Sequence, residues 1–156
     1  MLLRCLGLWR KAYNLRIFSL RTRHPELTDY AAIQTENLEE LDDASFDAIA
    51  VMDGPGTKEY LWDDQTLIAQ IQRFDKTRKL VAGIGYGSVV LAQSGLLLGK
   101  QATTTDTLEM IVQLKSYGAI FNSEDVVILK WIITGNGRNV EAFADAVSGW
   151  LRQPEC

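Results

Sequence analysis

The residues of this chain with the most chemical potential sit in four turns rich in glycine or hydroxyls: Asp53 to Thr57, Gly85 to Ser88, Thr103 to Asp106 and Gly135 to Asn139. Each turn precedes a predicted helix, and the unpaired amides of a first helical turn are donors for an anion or a developing oxyanion. Taken singly, such glycines are explained by the backbone, because a tight strand-to-helix turn needs positive φ in any case. In an open parallel sheet, however, sites lie beyond the carboxyl ends of the strands, where all four of these turns fall.

Gly85-Tyr86-Gly87-Ser88 has the strand, sharp bend and helix of a nucleophile elbow. Its apex is glycine, which offers no thiol, hydroxyl or carboxylate to attack a substrate. Ser88 lies three residues further on, where a hydroxyl reads as a helix cap rather than a nucleophile. Gly83-Ile84-Gly85-Tyr86-Gly87-Ser88 also meets the first two glycines of a dinucleotide fingerprint, with Asp106 23 residues after Gly83. That reading fails because Gly95 to Gly99 interrupts the helix that the fingerprint requires to run unbroken toward its acid. Asp53 and Asp106 remain as carboxylates able to position water against a carbonyl held by backbone amides. The single histidine, His24, stands beside Pro25 with no cysteine or serine partner near it in sequence. Trp9, Trp62, Trp131 and Trp150 fall on predicted helix faces and a strand, and are read as core or subunit-interface anchors.

The elements that must position these turns follow from periodicity. Leu2, Leu3, Leu6, Trp9 and Tyr13 predict an amphipathic helix, and residues 14–20 alternate as a strand does. Residues 21–29 read as a loop, 30–35 as a short edge strand and 39–45 as an acidic connection. Phe46 to Met52 is a nearly continuous apolar run, the pattern of a strand covered on both faces, and Lys79 to Ile84 is a second. Asp63 or Asp64 predicts the cap of a helix whose face is Leu67, Ile68, Ile71 and Phe74. A short apolar helix runs to Ser94. Asp106 and Glu109 are spaced as a capping box for a helix that Gly118 ends. Residues 126–129 and 131–133 read as strand broken or bent at Lys130, and Asn139 caps a last helix along Val140, Phe143, Ala144, Val147 and Leu151. Alternating strands and helices predict a three-layer α/β/α sandwich, a flavodoxin-like, doubly wound and mostly parallel sheet, in one domain over residues 1–156.

With 156 residues, 47% apolar and 23% charged, the composition is that of an ordinary globular domain and excludes disordered, collagenous and coiled-coil classes. A net charge of -4 argues against nucleic acid as a direct partner. Two cysteines near opposite ends, Cys5 and Cys156, make neither a disulfide framework nor a zinc site, so no metal and no cofactor are expected. The apolar stretches are far shorter than a membrane span needs, and Arg4, Arg10 and Lys11 interrupt any signal-like centre. The expectation is a cytoplasmic chain with no membrane partner.

Residues 46–56, then Ala82-Gly83-Ile84-Gly85-Tyr86-Gly87, then residues 96–105 resemble, in order and spacing, the ThiJ/PfpI family. That family belongs to the class I glutamine amidotransferase-like superfamily, which holds intracellular proteases, a Parkinson-associated deglycase and chaperone, and isocyanide hydratases. The likeness runs from residue 46 to 151 and implies the same sandwich. It also implies that the oxyanion turn falls on Met52-Asp53-Gly54, the nucleophilic cysteine on Gly85 and a histidine position on Thr105, so both side-chain functions are missing. Gly54 keeps an amide, while Asp53 in place of glycine would repel an anion. The family's acidic residue comes from the helix after an N-terminal strand; the resemblance implies that this chain begins inside that helix and that the first strand has no counterpart. A late start, a rearrangement of residues 14–20 or a partner subunit would each account for this. The resemblance therefore implies a ThiJ/PfpI-like protein without the elbow cysteine, one that binds small molecules in a pocket framed by Asp53, Gly54, Gly85, Tyr86 and Thr105, or acts as an oligomer, a dimer in the first instance. Its alternatives are a hydrolase or hydratase working without a cysteine, and the sensory domain of a transcription regulator.

Overall fold

The apolar runs centred on Ile49 and Ala82 lie side by side in one sheet, as their continuous hydrophobicity demands. The computed structural model describes residues 13–19 and 36–153. A short parallel pair, β1 (Phe18–Ser19) and β2 (Glu36–Asn37), stands apart from the main sheet. The main sheet is built from β3 (Ala48–Val51), β4 (Leu80–Ile84) and, after a second small parallel pair of β5 (Gln101–Ala102) and β6 (Ile120–Phe121), from β7 (Val126–Leu129) and β8 (Ile132–Gly135). Among the described residues its order is β3-β4-β8-β7, with β3, β4 and β8 parallel and β7 antiparallel to β8.

Among the described residues four α-helices cover the sheet: α1 (Gln65–Lys76), α2 (Tyr86–Gln93), α3 (Leu108–Ser116) and α4 (Val140–Leu151). Leu67, Ile71 and Phe74 of α1, Val90 and Leu91 of α2 and Leu114 of α3 pack with Ile49, Val51 and Val81 on one face. Val140, Phe143, Ala144 and Val147 of α4 pack with Leu80, Ala82, Ile84 and Ile133 on the other. Helices thus lie on both sides of a mainly parallel sheet, the α/β/α sandwich read from the alternation of elements. Each fully buried large side chain, such as Phe74 or Phe143, contributes about 1.5–3 kcal/mol to this core.

Local chemistry explains most boundaries and corrects several expectations. Asp64, not Asp63, caps α1, accepting the Leu67 amide at 2.7 Å. Asn139 caps α4 through the Ala142 amide. The capping box expected of Asp106 and Glu109 does not form: Thr107 accepts the Met110 amide, and Asp106 turns toward Arg138. A π-helical turn at Thr57–Leu61 precedes α1 and had no signal in the apolar period. The run expected to break or bend at Lys130 breaks there, and the break is a hairpin. Leu129 pairs with Ile132, and Lys130 takes a φ of 50° at the first of two turn positions. An apolar run interrupted by one lysine looks the same in sequence whether the chain bends or reverses.

Of the expected strand over residues 14–20, residues 14–19 are described; among these Phe18–Ser19 is strand, and it pairs with residues 36–37 rather than with β3. Among the described residues β3 pairs on one side only, with β4. The acidic connection at 39–45 forms two short 3-10 turns. The predicted opening helix, apart from Tyr13, which stands in a bend, the loop at 21–29, the edge strand at 30–35, and Cys5, Trp9, His24 and Cys156 lie outside the described residues. No helix among the described residues is long and apolar enough to cross a membrane.

Candidate functional site

Strand register decides which turns meet. Val51 pairs with Gly83 and Ile84 with Gly135, so the chain leaves β3, β4 and β8 at one end of the sheet. Asp53, Gly85 and Asn136 follow directly. The fourth turn is drawn in by hydroxyls: the Thr103 amide donates to Thr134 Oγ1 at 3.0 Å, and Thr104 Oγ1 donates to the Gly85 carbonyl at 2.8 Å. All four turns singled out in the sequence therefore converge.

Gly85 has φ 57° and ψ -120°, the strained bend that a nucleophile elbow requires, and its amide donates to the Gly135 carbonyl at 2.9 Å. Helix α2 starts immediately after it. Gly87 allows the first turn of that helix to touch β3, since a Cβ there would meet the Val51 carbonyl oxygen at 2.1 Å. Ser88 is fully buried and donates to the carbonyls of Gly83 and Gly135, so it ties helix to sheet. It does not cap α2, whose N-cap is Gly85.

The space above the bend belongs to Asp53. Its Oδ1 accepts the Tyr86 amide at 2.9 Å, and a Cβ built on Gly85 would lie 2.4 Å from Asp53 Cγ. The carboxylate of Asp53 thus occupies the Tyr86 amide itself. A cleft of about 430 Å³ opens beside it, lined by Asp53, Thr105, Asp106, Asn136, Gly137 and Arg138. The Arg138 guanidinium donates to Asp106 at 3.5 Å and to the Ser123 carbonyl at 3.0 Å, and it pairs with Asp125 at 3.4 Å. Asn136 is fixed in turn, accepting the Arg138 amide and donating to Asp125.

The pocket expected from sequence is thus split. Asp53 and Thr105 share the cleft, but Gly85 is buried beneath the Asp53 carboxylate, and Gly54, whose carbonyl accepts the Thr57 amide, does not line the cleft. Tyr86 faces a second cavity of about 450 Å³ with Pro55, Lys58 and Glu59. There the Lys58 ammonium donates to Glu109, which holds its pKa above the ordinary lysine value, and it lies about 6 Å from the Trp62 and Tyr86 ring centres. Asn136, Gly137 and Arg138 were missed as lining residues, although the Gly135 to Asn139 turn was itself a candidate. Nothing in their spacing announces which side chain reaches the cleft. No group of three or more His, Cys, Asp and Glu side chains among the described residues is placed to hold a metal ion.

A mainly parallel sheet between helices, with a strained glycine bend opening a helix at the strand ends, defines the class: an α/β sandwich protein of the elbow type. The DJ-1/PfpI family model matches residues 21–148, and the chain belongs to that family. An uncharacterised protein of Methanocaldococcus jannaschii is 41% identical over 87 residues, 56% of this chain; the match spans 42% of that protein's length. A ThiJ/PfpI domain protein from Brachyspira murdochii has a crystal structure 31% identical in sequence, with a TM-score of 0.73 over 79% of this chain and 69% of its own. A two-domain protein of Anabaena variabilis, with DJ-1/ThiJ/PfpI-like and ferritin-like domains, is 22% identical with a TM-score of 0.80, over 94% of this chain and 42% of its own, and supports the fold.

Proposed function

We propose that this DJ-1/PfpI-family chain has lost cysteine-dependent catalysis and acts as a small-molecule-binding protein that self-associates. The observation that carries this reading is the seat of Asp53 on the Tyr86 amide, in the volume a side chain at position 85 would need. Covalent catalysis at an elbow requires an attacking atom at the apex, and glycine has none. Thr105 stands where the family resemblance implies a histidine, and a hydroxyl there is a poor base at neutral pH. What persists is a polar cleft of ordinary ligand size at the strand ends. Self-association is supported by Leu98, Leu108, Val112, Ile120 and Ile128, large apolar residues more than half exposed. A cytoplasmic setting is part of the same proposal, by analogy with the family's intracellular members.

The test is incubation of the full chain with amide, glyoxal and isocyanide substrates, followed by steady-state assay and intact-mass spectrometry. No turnover and no adduct are expected. Turnover that vanishes when the 83–88 turn is altered would end the reading. Sedimentation velocity over a wide concentration range is expected to show a dimer, and a constant monomer mass would remove that part.

A second reading has its own support, since Asp53 and Asp106 line the same cleft and Asp53 is half-buried. A hydrolase or hydratase would then use one of these carboxylates to position water. It requires turnover without an adduct, abolished by D53N or D106N.

A further inference from the structure

We infer that two copies of this chain join edge to edge at β7, the Val126–Leu129 strand of one running antiparallel to that of the other about a two-fold axis at Val127. This rests on the self-association proposed above and gives it a surface. Among the described residues β7 pairs only with β8. The Asp125 carbonyl accepts the Asn136 amide at 3.0 Å, while the Gly135 carbonyl, next in line, is turned toward the Gly85 amide. Opposed residues in an antiparallel pair alternate between bonded and non-bonded, so Asp125, Val127 and Leu129 bond toward β8. Val126 and Ile128 therefore turn their N–H and C=O groups outward. Edge strands that stay single are commonly guarded by a charge, a proline or a bulge. Val126-Val127-Ile128-Leu129 has no charge and no proline, its register against β8 runs without a bulge, and Ile128 is 56% exposed.

This edge is complementary to itself. Outward groups must meet outward groups, which sets Val126 against Ile128 of the second copy, and Ile128 against its Val126, in reciprocal backbone hydrogen bonds. The same register sets the exposed Glu124 of each copy against the exposed Lys130 of the other. Registers centred on Val126 or on Ile128 leave both of these charges without an opposite one. Neither Glu124 nor Lys130 has an ion pair among the described residues. Within one copy they stand at opposite ends of β7, about 20 Å apart along an extended strand and too far to pair with each other. Apolar pairs of Val126 with Ile128 lie between the two charge pairs, and such cross-strand contacts each add to the stability of a sheet. A two-fold contact of this kind uses the same edge on both copies and closes at a dimer.

The experiment is sedimentation velocity of the full chain at low ionic strength, joined to hydrogen exchange read by mass spectrometry on peptides that span residues 124–130. The wild type is expected to dimerise, with the Val126 and Ile128 amides exchanging more slowly at a concentration that favours the dimer than at one that favours the monomer. Ile128→Lys is expected to stay monomeric where the wild type is a dimer, while its NMR spectrum remains dispersed. Glu124→Lys and Lys130→Glu are each expected to raise the dimer Kd at least about fivefold. The double charge reversal is expected to bring it back to within about twofold of the wild type, a rescue that a role for either residue inside one copy would not give. A dimer that Ile128→Lys leaves intact, or whose 124–130 peptides exchange alike at both concentrations, overturns the inference and leaves self-association standing. A double reversal that fails to rescue overturns it as well. A wild type that is monomeric throughout removes both. Turnover is read separately, so the loss of catalysis stands or falls by itself.

Discussion

Asp53 and Gly85 occupy one site between them: a Cβ built on Gly85 would lie 2.4 Å from Asp53 Cγ and 2.5 and 2.7 Å from its two oxygens. Residues 32 positions apart are thereby made dependent on each other. The bend at Gly85 has a φ of 57°, a backbone that an L side chain adopts at a cost of about 1–3 kcal/mol even when there is room.

Gly85→Ala is accordingly expected to lower stability by more than about 2 kcal/mol, since overpacking adds to the backbone cost. Asp53→Gly in the same chain should return the overpacking part and leave the backbone part. Urea denaturation of the two single variants and the double variant checks this. Non-additivity of at least about 1 kcal/mol is expected, and simple additivity would mean that Asp53 moves aside without cost.

Lys130 holds a φ of 50° at the first central position of the two-residue β7–β8 hairpin, where glycine is favoured. Lys130→Gly should raise stability by up to about 1 kcal/mol, the relief of the left-handed backbone being partly offset by a freer unfolded chain. Thermal unfolding at matched concentration measures it. A fall in the midpoint would show that the lysine side chain, which lies over the Trp131 ring at 5.7 Å, holds the turn more firmly than glycine would.

Asp42 accepts the Ser45 hydroxyl at 2.7 Å and the Ala44 amide at 3.2 Å, and these bonds, the hydroxyl first, hold its pKa below the ordinary carboxylate value. A folded pKa depressed below the unfolded one gives stability that is fully present above the unfolded pKa and is lost as pH falls through the folded one. Asp42→Asn should therefore flatten the acid limb of the stability profile below about pH 4 and leave its slope near neutrality unchanged. Urea midpoints across that range provide the check, and an acid limb identical to the wild type would show that Asp42 contributes nothing to it.

Much of this was legible along the chain, because local patterns report local physics. Continuous apolar runs at 46–52 and 79–84 became parallel strands with both faces covered, and the spacing of Leu67, Ile71 and Phe74 became the buried stripe of α1. The glycine at the apex of the bend was visible as soon as the strand, turn and helix around it were recognised. Where two local signals competed, sequence reasoning chose wrongly. Thr107 rather than Asp106 caps α3, since Arg138, 32 residues away, draws the aspartate off.

By itself the sequence determined the order of strands and helices, the sandwich class, the family and the absence of a side chain at the elbow. All of these follow from residue type and spacing within short segments. Only the tertiary structure decided that the Asp53 carboxylate lands on the Tyr86 amide, that Arg138 is spent on Asp106 and Asp125, and that the chain reverses at Lys130. Each of these depends on the register of one strand against another. A shift of one residue in a strand turns every side chain to the opposite face, and no spacing within a single segment records that choice.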